Sequence, residues 1–314
     1  AAARRRVLEL ATLDGLWVPA TPVFPDAAVD VCAVILDRSG PRRRPVRRWT
    51  GADWTPIVPI EVDSDELAEE PTWSRLAAAA LGVPEVDPVV SGGRLGDLVR
   101  VTAGFRDQFY GLAPHDVEHD GRPGLAPLVT SGLVEPGVVE WGRRPARVAG
   151  RRWMRPAVPL ASLVGDPSLE RWVHDRLRPK LVVATQTRVV EAAPDPEGRW
   201  IPGTPVLAAH AEGDHLWRAL AVLLAPPVSA LALSRHGGTA RTAGAIKLSA
   251  RDVAELPLPA DATTWSTSAE VLRDAHLAGG IGRDVLVDVA AAMTRAYGCG
   301  ESVTDWWAAR LPAV

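Results

Sequence analysis

Apolar positions in the first forty residues follow a helix-then-strand rhythm. Val7, Leu8, Leu10 and Ala11 gather on one side of a short helical pattern over residues 4–11. Two apolar runs follow, Gly15 to Val18 and Val29 to Leu36, with turn chemistry from Pro22 to Asp26 between them. The second run is β-branched and almost uniformly apolar, the pattern of a strand covered on both faces. Two strands and one helix cannot close a core, so this segment reads as the edge of a larger sheet. Residues 71–82 suggest a short helix and 84–94 a turn-rich connection. From about residue 95 short strands and turns take over, with strand candidates at 98–103, 137–141, 153–160, 181–184 and 206–209. Helical spacing returns at 167–177, at 216–233 with a break near Pro226-Pro227, and at 251–256. It then runs to the end of the chain at 268–277, 283–297 and 302–310.

The 314 residues correspond to about two domains, with the apolar and charged balance of a globular protein. No apolar run approaches the roughly 18 residues of a membrane span, so no membrane partner is expected. The cluster Arg4-Arg5-Arg6 leads into a stretch broken by Asp14 rather than a secretory apolar core. Cys32 and Cys299 lie far apart and fit no ligand spacing, which points to a reducing cytoplasm. The first residue is Ala1 and the only methionines are Met154 and Met293, so the chain is expected to be processed or part of something longer.

Charge changes this picture more than composition does. A net charge of −3 conceals strong segregation, and 33 of the 35 basic residues are arginine, Lys180 and Lys247 being the exceptions. Arg38, Arg42, Arg43, Arg44, Arg47 and Arg48 precede an acidic stretch from Glu61 to Glu70. A second strip holds Arg143, Arg144, Arg147, Arg151, Arg152 and Arg155 between the flanking Trp141 and Trp153, with no acid after Glu140. Arginine interleaved with aromatics suits phosphate contact and stacking, and a solvated basic face is the plainer alternative.

Three other motifs carry less. His115 and His119 stand four apart with carboxylates between them, a metal-ligand spacing on a helix, but Pro114, Gly121 and Pro123 favour a loop. Ser91-Gly92-Gly93-Arg94-Leu95-Gly96 lacks the buried strand that a nucleotide-binding turn needs. His236-Gly237-Gly238 has no Gly-x-Ser-x-Gly partner and reads as a helix end.

Three stretches in order carry a resemblance. The first is Arg4 to Arg38, with Val23-Phe24-Pro25 and Val31 to Leu36. The second is Val101 to Tyr110 followed by Leu125 to Gly132. The third joins Arg178 to Val183, Asp195 to Gly198, the helix 216–233, and Ile246 to Pro259. Together, over about residues 4–260, they resemble the C-terminal part of adenine-specific (N6) DNA methyltransferases of restriction–modification type. The resemblance implies an α/β fold: the C-terminal edge of a Rossmann-like methyltransferase sheet, a mixed α/β target recognition domain and a helical C-terminal tail. The implied domains are a catalytic remnant at 1–40, a basic-then-acidic linker or insert at 41–94, target recognition at 95–260 and a helical extension at 261–314.

That family binds S-adenosylmethionine and reacts at an Asn-Pro-Pro-Tyr/Phe motif. Neither its cofactor turn nor that motif is present, so no catalytic or cofactor-binding residue carries over, and S-adenosylmethionine is expected only in the full-length enzyme. The implied partners are double-stranded DNA and an N-terminal catalytic part. Residues expected at DNA are Arg106, Gln108 and Tyr110 in an opening loop, Arg143, Arg144, Arg147, Arg151 and Arg152 in the basic strip, and Lys180, Gln186 and Arg188. The alternative is a stand-alone DNA-specificity subunit without chemistry of its own. No metal is expected.

Overall fold

A computed structural model of the chain describes residues 2–19, 23–24, 31–70, 72–78, 82–104, 106–236 and 245–312. Most of the turn at 22–26, the start of the 29–36 run, both ends of the 71–82 helix, Phe105 and Gly237-Gly238 lie outside those residues. The chain divides into two compact units, Ala1–Val86 with Ala230–Lys247, and Asp87–Ser229 with Leu248–Val314.

In the first unit, helix Ala2–Leu10 buries Leu8 beside Leu13 and Leu16 of strand Thr12–Val18. Strand Ala33–Asp37 pairs antiparallel with that strand on one side, and Arg43–Thr50 pairs parallel with it on the other. Thr55–Asp63 closes the four-stranded sheet by pairing antiparallel with Arg43–Thr50. The segment expected to link two domains therefore supplies two strands, and Val46, Val62 and Leu67 from it complete the core. Among the described residues this sheet is mixed, with one parallel pair, and no single Rossmann-like edge is shown. Ala33–Asp37 lies at the sheet edge rather than covered on both faces, and Val34 and Leu36 are exposed.

The second unit is built on strand Lys180–Val183, whose four residues are all buried. It pairs antiparallel with Ala192–Asp195 and with Leu207–His210, which in turn pairs with Arg100–Ala103. A second four-stranded sheet orders Ile201–Pro202, Leu125–Val129, Pro156–Pro159 and Val117–Glu118. Two short hairpins, Val134–Glu135 with Val138–Val139 and Ala146–Val148 with Arg151–Trp153, extend from this body. Helix Pro167–Arg176 starts where a sequence reader expects, with Asp166 accepting from the N–H groups of Ser168 and Leu169 and Pro167 in the first turn. Helices Ala262–Leu277, Arg283–Ala296 and Ser302–Ala308 form the C-terminal tail. Ala262–Leu277 packs on Asp214–Leu223, and Trp307 is fully buried beside Val189 and Ala290. Among the described residues no single helix is long and apolar enough to cross a membrane.

Candidate nucleic-acid interface

The two arginine strips have different fates. In the first unit Asp14, itself buried, pairs with both Arg44 and Arg47, and Arg44 also reaches Asp37 at 3.1 Å. Arg42 pairs with Asp65. Arg48 is 3% exposed, donates to the Val58 carbonyl and meets Glu85 at 3.2 Å. Four arginines of the 38–48 strip are thus held by the unit's own oxygen atoms. They are not the open DNA clamp that their spacing suggests.

The second strip is open. Ala146 and Val148 turn into the core while Arg147 stands exposed on the other face of the ribbon. Arg147 is paired directly across the hairpin with Arg152, and like charges in that position repel. Ala149 and Gly150 connect the strands with positive φ angles of 47° and 83°, as a two-residue primed turn requires. Among the described residues Arg147, Arg151 and Arg152 have no carboxylate within 4.0 Å, and all three are exposed. Arg143 is exposed with only Glu140 near, at 3.8 Å. Arg144 is tied more firmly, to Glu135 at 2.6 Å and to the Gly132 carbonyl at 2.5 Å.

Two adjoining cavities, of about 660 and 440 Å³, share Glu135, Arg144, Leu311 and Pro312 and form a trough. The smaller part brings Arg144 together with Gln186 and Arg188, residues expected at DNA from two separate segments. Gln186 and Arg188 are exposed. The structure adds Arg283 to the larger part and Arg310 to the smaller. Arg283 lies in helix Arg283–Ala296 and Arg310 just past helix Ser302–Ala308, in the C-terminal segment to which the sequence assigns no role. One signal was available: Arg283 occupies the first turn of its helix, where the macrodipole disfavours a cation. That helix begins at Gly282 with no side-chain cap, leaving its first amide groups available to an anion beside the trough.

Burial pushes the Glu191 carboxyl in the trough up to about 8, Glu135 adding to the shift and Arg144 and Arg188 opposing it. Glu191 is therefore uncharged at neutral pH. The folded state holds this proton more tightly than the unfolded chain does. The stability gained from it is complete below the ordinary carboxyl range near 4.3 and is lost as pH climbs through about 8. Glu191→Gln is expected to flatten the fall of the unfolding midpoint between about pH 5 and pH 8. An equal fall in wild type and variant would show that another group titrates.

The remaining expected residues divide. Arg106, Gln108 and Tyr110 fall in helix Arg106–Leu112 rather than in a loop, with Tyr110 exposed and Gln108 half-buried. Lys180 needs correcting. Its side chain is 0% exposed and pairs with Asp195 on the neighbouring strand, so it cannot reach a phosphate while the sheet is intact. The apolar surroundings of a four-strand sheet enclose it, where a sequence reader sees only a cation beside a strand. His119 accepts from the Gly121 N–H at 3.0 Å and packs edge-on to Trp141, and His115 ends a short 3₁₀ turn. Among the described residues no group of three or more His, Cys, Asp or Glu side chains is placed to hold a metal ion.

No family model matches the sequence, and no curated protein is detectably similar to it. Solved structures do match in fold. The type IIL restriction–modification enzyme MmeI in complex with DNA aligns over 95% of this chain and 43% of its own, at 8% identity and a TM-score of 0.52. The type IIG restriction endonuclease BpuSI aligns over 99% of this chain and 45% of its own, at 12% identity and a TM-score of 0.39, too low for a shared fold to be drawn from it. The chain thus spans less than half the length of each.

Proposed function

We propose that this chain is the target-recognition part of a restriction–modification DNA methyltransferase, one that moves a methyl group from S-adenosylmethionine to N6 of adenine. In this reading the second unit holds the duplex. The observation that carries it is the open hairpin: Arg147, Arg151 and Arg152 present three guanidinium groups without carboxylate partners among the described residues, two of them on directly paired positions. Such an arrangement is unfavourable alone and favourable against a polyanion. The trough beside Arg144, Arg188, Arg283 and Arg310 extends the positive surface. The ordered resemblance over residues 4–260 and the fold shared with MmeI support the same reading.

Base reading narrows to few residues. The sequence contains no asparagine, and Gln108 and Gln186 are its only glutamines. Amide recognition of adenine therefore falls to those two, and guanine recognition to arginine. Gln186 and Arg188, two apart and both exposed on the trough, are the natural pair.

The cofactor does not fit these residues. The Ser91–Gly96 stretch forms strand Val90–Arg94, paired with Pro257–Pro259, and then a single 3₁₀ turn at Leu95–Asp97. No helix opens there to receive an adenosyl group. The absence of asparagine also removes the Asn-Pro-Pro motif from this chain. The methyl-transfer chemistry is assigned outside it.

Affinity for a duplex measured against salt tests the reading. Each phosphate neutralised contributes a slope of about −0.9 in log K against log salt. The triple change Arg147→Ala, Arg151→Ala, Arg152→Ala is expected to make the slope shallower by roughly two to three. Arg44→Ala, which removes an internally paired guanidinium, is expected to leave it unchanged. Equal slopes for the triple variant and wild type would remove the hairpin from the interface.

A further inference from the structure

A separate cavity of about 310 Å³ lies beside helix Arg106–Leu112, small for a ligand site but within the usual range of roughly 300–1,000 Å³. Phe109, Leu112, Leu128 and Val148 give it apolar walls. Asp116 and Ser131 are among the polar side chains that stand against them, with Thr130 and Thr204. Both carboxylate oxygens of Asp116 and the Ser131 hydroxyl are enclosed and have no hydrogen-bond partner among the described residues. Arg147 also lines the cavity and is otherwise exposed. Burial alone lifts the Asp116 carboxyl to about 6, so at neutral pH it is a charged acceptor lacking a donor. An enclosed carboxylate without a partner is costly, and a ligand N–H group is what would satisfy it.

We propose that this cavity receives one unpaired nucleobase bearing an amino group beside an unprotonated ring nitrogen, the edge shared by cytosine and adenine. Asp116 accepts from the amino group and the Ser131 hydroxyl donates to the ring nitrogen. Phe109 and the aliphatic walls cover the faces of the ring, as extruded bases require. Arg147 meets the attached phosphate. Thymine places a carbonyl oxygen where the amino group would sit, opposite the carboxylate, and is rejected. The proposal rests on the DNA-binding reading, since the base arrives on a strand held by the same unit.

The test uses the full chain and four duplexes, one fully paired and three carrying a single bulged C, A or T. Bulged C and bulged A are expected to bind at least tenfold tighter than bulged T, and their ratio decides which base is preferred. Asp116→Leu is expected to abolish the preference while leaving paired-duplex affinity and its salt slope intact, which also shows that the variant folds. Asp116→Asn, which gains a donor for the thymine carbonyl, is expected to shrink the preference below threefold. Equal affinity for the three bulges, or a preference that survives in both variants, overturns the pocket while the DNA reading stands. Binding of bulged C or A without any binding of paired duplex overturns the duplex reading and keeps the pocket. No binding of any of the four defeats both.

Discussion

Asp195→Ala is expected to destabilise the second unit by about 3–5 kcal/mol, the usual consequence of stranding a buried charge. Asp195 is 1% exposed and serves three donors at once. Its carboxylate pairs with the Lys180 ammonium and accepts from the N–H groups of Arg199 at 2.9 Å and Trp200 at 3.0 Å. Burial pulls the Lys180 pKa down and Asp195 pulls it back up, so removing the carboxylate leaves only the desolvation. Lys180→Met should cost less than Asp195→Ala, because the carboxylate keeps its two backbone donors. The decisive measurement is the double variant in urea. Adding Lys180→Met to Asp195→Ala should raise the midpoint by removing the stranded ammonium, whereas a further fall would mean the two residues do not act as a pair. Any loss of DNA affinity in Lys180 variants should follow the folded fraction rather than the salt slope.

The second large effect lies three residues on. Gly198 has φ +66°, and a Cβ there would sit 2.5 Å from the Arg178 carbonyl carbon and 2.6 Å from its Cα. Both obstacles are backbone atoms, which cannot swing aside. Gly198→Ala is expected to cost about 2–4 kcal/mol, combining left-handed strain with overpacking. Gly213 has a similar φ of +55° but nothing within 4 Å of its Cβ position. Gly213→Ala, at φ +55° and ψ −135°, should therefore show only the backbone strain, about 1–3 kcal/mol. Thermal unfolding of the two variants separates the contributions, and equal losses would show that the contact with Arg178 relaxes freely.

Much of the fold was readable where one periodicity dominates. Strand Lys180–Val183 and helices Pro167–Arg176 and Arg283–Ala296 lie within a residue or two of their expected spans. The strands at 43–63 were not readable, because arginines and prolines occupy positions where alternation would show. Pro45 is tolerated because it lies beyond the reach of the parallel partner, which pairs only from Arg47 onward. Arg48 points inward against expectation, held by the Val58 carbonyl. The 146–153 hairpin was hidden by its turn: Ala149-Gly150 lacks the Asn-Gly or Asp-Gly signal of a primed turn.

The site was legible in parts. Arginine clustering pointed to the open strip, but the same signal marked 38–48, where Asp14, Asp37 and Asp65 absorb it from elsewhere in the unit. Which guanidinium groups stay open is a tertiary fact. Asp116 went unnoticed because its flanking histidines drew the metal question, while the walls that enclose it come from Leu112, Leu128 and Val148. Burial of that kind leaves no mark in the local sequence.

The facing pair Arg147 and Arg152 sets a direction for mutation as well as for binding. Threonine or valine at either position would remove repulsion and suit an exposed strand, so selection for thermostability alone would erase the pair. A stabilised variant recovered from such a screen should lose an arginine here early, and with it part of its hold on a polyanion. Screens for a hardier protein and for a tighter DNA binder would then move this ribbon in opposite directions.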